Sequence, residues 1–376
     1  MYNCQLPERN ALLKEIYTPS FSQFEKGSKE YWDLGRSGKV WENYFRPFEF
    51  EFRPKDNESI ESIEIFEEKC AHLEELSSIK DTIEISTKDL LQRMIVSFSH
   101  QSCVMEGNSL GIEESQTIWE RMNQDYNIDD LLEKEGAQFP TPESLFDKPE
   151  SEIDIIEIRN HLLSTYFIFN NTLFKSKPEI DIDNIKKIHR IILRDTPQEK
   201  FNVWGNIQRA GKFRTVSMQS MGYHLTVYPY GEEVPALMEK FVQFYNKNVT
   251  NNNIDDENYI HPLISSCHIL STFLHINPFY DGNGRVGRSL MALYLSHAGY
   301  PPPVFQQLDR KVYVNALCKT QAQKDPIPLY NLVVGAISDI LASHSCLPFE
   351  YKVCLEKIAV GAINYIKILL AKVRNE

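Results

Sequence analysis

The sequence predicts a mainly α-helical protein with one short β-hairpin and an N-terminal extension. Apolar residues recur at three- and four-residue spacing through long stretches, the pattern of helices with one buried face. Only between Gly205 and Tyr230 does the pattern change to glycine, β-branched and aromatic residues. With 42% hydrophobic residues in 376, the chain can bury a substantial core.

In chain order, residues 1–85 form the extension. From Tyr31 to Asp56 it is aromatic and irregular, with Phe48-Glu-Phe-Glu-Phe52 alternating as an extended arm would. Residues 57–85 are charged and helical in flavour. Ser86-Thr-Lys-Asp89 is a capping signal for a helix from Leu90 to Met105. Asp125 to Glu152 is acidic and carries Pro140, Pro142 and Pro149, which predicts a long surface loop. Helices follow over Ile153–Phe169 and Ile182–Leu193. The hairpin is expected over 212–228, with Phe213 to Met218 and Gly222 to Val227 as its arms. Further helices span Val234–Tyr245, Leu263–Ile276 and Val286–Ala298, the last closed by Gly299 and Pro301 to Pro303. Helical patterns around Val312–Ala322, Leu329–Ser343 and Pro348–Val373 complete the chain.

A formal charge of −12 without any basic run argues against a nucleic-acid partner. Seven cysteines, with neither paired spacing nor a C-x-x-C, suggest reduced core thiols rather than disulfides or zinc ligands. The first residues lack a basic start followed by an apolar stretch, and no apolar run approaches the ~20 residues of a spanning helix. These features place the expectation in the cytoplasm, with the nucleus as an alternative, and predict no membrane association. The oligomeric state stays open, a homodimer included.

The stretch Asn277-Pro-Phe-Tyr-Asp-Gly-Asn-Gly-Arg-Val-Gly-Arg288 concentrates groups suited to a metal-bound triphosphate. A Gly-Asn-Gly turn feeding a helix exposes N–H groups at the positive end of the helix dipole. Arg285 and Arg288 share one helix face, and Asp281 is placed to take a magnesium ion bridging phosphate oxygens. Phe279 to Arg288 resembles the signature of the Fic family, His-x-Phe-x-Asp/Glu-Gly-Asn-Gly-Arg-x-x-Arg, with Asn277 in place of the histidine.

The resemblance covers roughly residues 86–340 and implies a Fic-type helical bundle, here 86–345, ahead of a C-terminal helix in 346–376. Members mostly transfer AMP from ATP onto a protein hydroxyl, so ATP and Mg2+ are implied, with a Ser, Thr or Tyr target. By resemblance Asp281 holds the metal, Gly282, Asn283 and Gly284 cradle the α- and β-phosphates, Arg285 binds the β-phosphate and Arg288 the γ-phosphate. The hairpin resembles the flap that positions a target peptide by main-chain pairing.

Ser102-Cys-Val-Met-Glu106-Gly107 resembles the family's inhibitory pattern, within a helix of about 90–108. It implies that Glu106 competes for Arg288 and repels nucleotide. A C-capped helix with an exposed glutamate is the plain structural alternative. The family's histidine takes the hydroxyl proton, whereas an asparagine amide does not titrate near neutrality. Asn277 is therefore expected to spare nucleotide binding and impair transfer. Three other histidines, His224, His268 and His275, are expected to pack or face solvent rather than replace it. A nucleotide-sensing pseudoenzyme and an enzyme that removes AMP are the alternative readings.

Overall fold

The computed structural model describes residues 6–42, 72–83, 85–134, 137–146, 151–172, 179–203, 205–221, 225–250, 260–305, 308–323 and 326–344. The chain is mainly helical with two small hairpins, as the periodicity predicts. The expected strand at 48–52, the Gly222 to His224 turn and the 348–373 helix lie outside the described residues.

Three helices form the centre. The buried helix α12 (Pro262–Ile276) and the signature helix α13 (Asn283–His297) are antiparallel neighbours joined by the signature loop. Gly287 lets them approach, because a Cβ there would lie 3.2 Å from Leu270 and Phe273. Helix α10 (Ile182–Leu193) packs on α13, burying Ile185, Ile188 and Ile192. Its bounds are those expected.

Around this centre lie α5 (Thr87–Val104) and α9 (Glu152–Phe167), which pack on each other. Helix α5 begins as its capping signal predicts, the Ser86 side chain accepting from Asp89 N at 3.1 Å. Helix α11 (Val234–Thr250) and, behind α12, α14 (Arg310–Cys318) and α15 (Ile327–His344) complete the bundle. Helix α15 is long and apolar enough to cross a membrane, yet Leu329, Val333, Ile337 and Leu341 are fully buried in a core cluster. It is a core helix here.

Several expectations need correction. The acidic stretch from Asp125 to Glu152 is not a long surface loop: it holds α7 (Ile128–Glu133) and α8 (Pro142–Leu145). Ile128, Leu132, Phe139 and Leu145 anchor it in the core. Pro142, read as a breaker, opens a helix, where its missing N–H costs nothing. Tyr31 and Trp32 are not irregular, since they lie on α2 (Lys29–Arg36), capped by Ser28. Helix α1 (Leu6–Phe21), α3 (Lys39–Glu42) and α4 (72–81) make up the rest of the described extension, and Leu13, Ile16 and Val40 join the main core.

A first hairpin, β1 (Lys200–Val203) with β2 (Asn206–Arg209), was absent from the sequence expectation. The expected hairpin is present but shorter, β3 (Gln219–Met221) pairing with β4 (Leu225–Val227). Residues 213–218 are no strand because Arg214 spends them on another task. Its buried guanidinium donates to the carbonyls of Asn277 and Val216 at 2.7 and 2.8 Å. It also donates to Pro229 at 2.6 Å, while Arg214 N donates to Pro278 O at 2.9 Å. The root of the hairpin is thereby pinned to the signature loop. Burial lowers the Arg214 guanidinium to about 10, so it stays charged at neutral pH. Arg214→Met orphans these carbonyls and should cost about 3 kcal/mol of stability, read by denaturant unfolding.

Candidate active site

The site is the turn between α12 and α13. Helix α12 ends when Asn277 enters the left-handed region at φ 48°, ψ 60°, where asparagine and histidine are among the few tolerated side chains. The Asn277 amide points toward the hairpin side, with Nδ2 3.8 Å from the Met218 sulfur. Phe279 is fully buried and stacks on His189 with centroids 3.7 Å apart.

Gly282 is left-handed at φ 73°, and Asn283 closes the turn with its own side chain. Asn283 Oδ1 accepts from Phe279 N at 3.0 Å, and Nδ2 donates to Phe279 O at 2.8 Å. The asparagine amide is thus used up in shaping the loop, which leaves its backbone for any cradle. Helix α13 starts at Asn283, three residues earlier than expected, so Asn283, Gly284 and Arg285 form its first turn with free N–H groups.

His189 of α10 was not singled out by sequence, and it clamps this loop. Gly211 N donates to Nδ1 at 2.7 Å, so the ring proton sits on Nε2 and is donated to the Asp281 carbonyl, 2.9 Å away. With both nitrogens engaged, His189 is no substitute for a missing base. Burial lowers its pKa to about 3, below the unfolded value near 6.5. The unfolded chain then binds the extra proton, so His189 makes stability fall as pH drops from about 6.5 toward 3. Unfolding at pH 5 against pH 7.5 should show a loss of about 1–2 kcal/mol that His189→Asn reduces.

Both arginines of the signature are buried, and both are held by carboxylates. Arg288 Nη2 lies 2.7 Å from Glu106 Oε1, while its Nε and Nη2 donate to the Ser102 hydroxyl and carbonyl at 2.9 and 2.7 Å. Glu106 follows the end of α5, where Gly107 turns at φ 103° and Asn108 binds α9. Its carboxylate lies over Gly284, so closely that a Cβ there would collide with it. A carboxylate therefore occupies the anion position at the N-terminus of α13. Burial pushes the Glu106 carboxyl up, but Arg288, Arg285 and Arg310 together outweigh this and hold it below the usual range. Burial likewise opposes the Arg288 charge, and Glu106 and Tyr313 more than offset it.

Arg285 Nη1 is 2.9 Å from Glu157 Oε1 on α9, a partner that sequence reasoning missed. Its Nε is buried without a hydrogen-bond partner among the described residues. Asn108 Nδ2 donates to Glu157 Oε2 at 3.2 Å, linking the second carboxylate to the segment that carries Glu106. Arg310 of α14 was also missed; it donates to Met105 O at 2.7 Å and lies 4.0 Å from Glu106 Oε2.

Asp281 is part-exposed on the loop, Oδ1 accepting from Gly282 N at 2.6 Å. One carboxylate suits magnesium, which is held by one or two carboxylates plus substrate oxygens and water. His275 and His268 are buried in α12, His268 edge-on to Phe244, and burial lowers His275 to about 4. His224 is outside the described residues. Cys103, Cys267 and Cys318 are buried and form no disulfide among the described residues.

The helical bundle thus presents two buried arginines and the N-terminus of α13 beside a small hairpin. Residues 179–295 match the Fic/DOC family. Similar curated proteins are named protein adenylyltransferase Fic: that of Drosophila grimshawi is 29% identical over 149 residues, 39% of this chain and 26% of the relative. That of Drosophila persimilis is also 29% identical, covering 39% and 25%. The match thus spans about a quarter of these relatives' length. Among solved structures, residues 134–508 of Fic-1 from C. elegans align with a TM-score of 0.51 at 17% identity, covering 94% of this chain and 98% of that one. A Fic domain containing signaling protein from Bacteroides thetaiotaomicron aligns with a TM-score of 0.50 at 20% identity, covering 79% and 97%. These two likenesses show the fold.

Proposed function

We propose that this chain is an AMP-transferase scaffold whose anion cradle is closed by Glu106 and whose proton-accepting position is filled by Asn277. The observation that carries this reading is the Glu106 carboxylate seated over Gly284 and paired with Arg288. A negatively charged group already uses the donors that a nucleotide phosphate would use.

In the open form, ATP places its α- and β-phosphates on the free N–H groups of Asn283 and Gly284, with the left-handed Gly282 shaping the cradle. The β-phosphate takes Arg285, including its unpartnered Nε, and the γ-phosphate takes Arg288. A bound Mg2+, held by Asp281, would neutralise phosphate charge. A target segment pairs with the β3–β4 hairpin and presents a Ser, Thr or Tyr hydroxyl. The hydroxyl oxygen bonds to the α-phosphorus as the bond to pyrophosphate breaks, and positioning with charge neutralisation supplies most of the acceleration. The hydroxyl proton needs an acceptor, and the Asn277 amide offers none.

The left-handed Asn277, whose amide faces the Met218 sulfur and offers no proton acceptor, favours one second reading: a nucleotide-binding regulator that acts without transfer. Incubation with α-labelled ATP of the unaltered chain, Glu106→Gly, Asn277→His and the double variant separates the two. Label on protein only in the double variant supports a braked transferase scaffold. Label with the unaltered chain refutes the role given to Asn277, and no ATP binding by Glu106→Gly refutes the nucleotide reading.

A further inference from the structure

On the flank of α10 away from the brake lies a groove of about 870 Å3. Lys187, Arg190 and Arg194 line it from α10 and its end, and Lys200 and Arg209 from the β1–β2 hairpin. Among the described residues it has six basic and three acidic side chains, on a chain whose formal charge is −12. One of those acids, Asp195, is already paired with Arg159 at 2.8 Å.

Two features set this groove apart from an ordinary solvated charge cluster. Lys200 and Arg209 are direct cross-strand partners, an arrangement in which like charges destabilise the ladder. Both are exposed, as is Arg190, and none of the three has an ion pair among the described residues. The same hairpin also exposes Phe201 (42%) and Ile207 (52%), and Phe201 stacks on Tyr280 of the signature loop with centroids 5.4 Å apart. The hairpin therefore bridges the basic groove and the phosphate loop. On α10, His189 holds the loop while the next residue, Arg190, lines the groove.

We propose that this groove docks an acidic segment of the protein whose hydroxyl receives AMP, with an apolar residue of that segment over Phe201 and Ile207. The inference rests on the AMP-transfer reading for its choice of partner. Because the hairpin that lines the groove also stacks Phe201 on Tyr280 of the loop, an extended chain, at about 3.3 Å per residue, reaches from one to the other in a few residues. Acidic residues a few positions from the modified hydroxyl thus become a specificity signal, and their attraction should weaken as salt screens it.

The test is anisotropy of a fluorescein-labelled serine peptide bearing a run of glutamates, compared with the same peptide carrying glutamines. The glutamate peptide should bind the full chain roughly tenfold tighter at low salt. Lys200→Glu with Arg209→Glu should remove that preference, and Lys200→Gln with Arg209→Gln should give an intermediate value. Binding of a fluorescent ATP analogue by the same variants, in a Glu106→Gly background, should be unchanged because neither residue touches the cradle. Equal affinity for the two peptides, or an undiminished preference after charge reversal, overturns the proposal. So does an RNA oligonucleotide that displaces the acidic peptide at lower concentration than unlabelled peptide does. Peptide preference without ATP-analogue binding would instead overturn the transferase reading and leave the acidic docking surface standing.

Discussion

Asn277→His in a chain that also carries Glu106→Gly should raise label transfer from α-labelled ATP by ~10²–10⁴ over Glu106→Gly alone, the usual worth of a positioned general base. The backbone permits the exchange, because φ 48° and ψ 60° suit histidine as well as asparagine. The position is also right: the Asn277 side chain reaches Met218 at the edge of the hairpin where a target would lie. A histidine there must be neutral to accept the proton. Transfer by the double variant should climb with pH through the ordinary imidazole range near 6.5 and then level off. Glu106→Gly alone should lack that rise. ATP affinity should be the same with either residue, because no phosphate contact changes. A pH-independent rate in the double variant would refute the assignment of this position to the proton acceptor, and His189 cannot mimic it with both ring nitrogens bonded.

The parts of this molecule that can be read from sequence are those whose signal is local. Ser86 with Asp89, the apolar spacing of Ile182–Leu193 and the Gly282-Asn283-Gly284 turn each sit within a few residues of what they determine. The pairing of Glu106 with Arg288 is not local, yet a short motif at each end marks it. Glu157 has no such mark. It lies on a helix of mixed character, and the packing of α9 on α5, with α5 in turn on α13, brings it across 128 residues to Arg285. His189 reads as one polar residue in an apolar-periodic helix, although it fixes the Asp281 carbonyl from 92 residues away. The Asp125 to Glu152 stretch misleads for a different reason: its few apolar anchors are diluted by acids, so density suggests a loop while spacing places Ile128 and Leu132 on one helical face.

Removal of the two carboxylates should open the cradle in steps. With Glu106 and Glu157 both present, Arg288 and Arg285 are each paired with a carboxylate, which weakens their pull on an incoming triphosphate. Glu106→Gly frees Arg288 and clears the space over Gly284, so ATP affinity should rise at least ~10-fold, about 1.4 kcal/mol. Glu157→Gln retains the shape and an acceptor for Arg285 while removing the charge, and should add up to another ~10-fold. Each change leaves a buried guanidinium without its counter-charge, so the nucleotide-free protein should lose about 1–2 kcal/mol of stability. ATP restores the missing negative charge and should recover that loss through linkage, which produces a larger thermal shift on binding than in the unaltered chain. The two effects should not add independently, because Asn108 donates to Glu157 from the segment that carries Glu106. Asn108→Ala should reduce the coupling measured by the cycle of Glu106→Gly and Glu157→Gln. Titration calorimetry with ATP decides the matter: tighter binding in Glu157→Gln shows that this carboxylate holds Arg285 away from phosphate. Weaker binding would show that it orients Arg285 toward the nucleotide, and the brake would then consist of Glu106 alone.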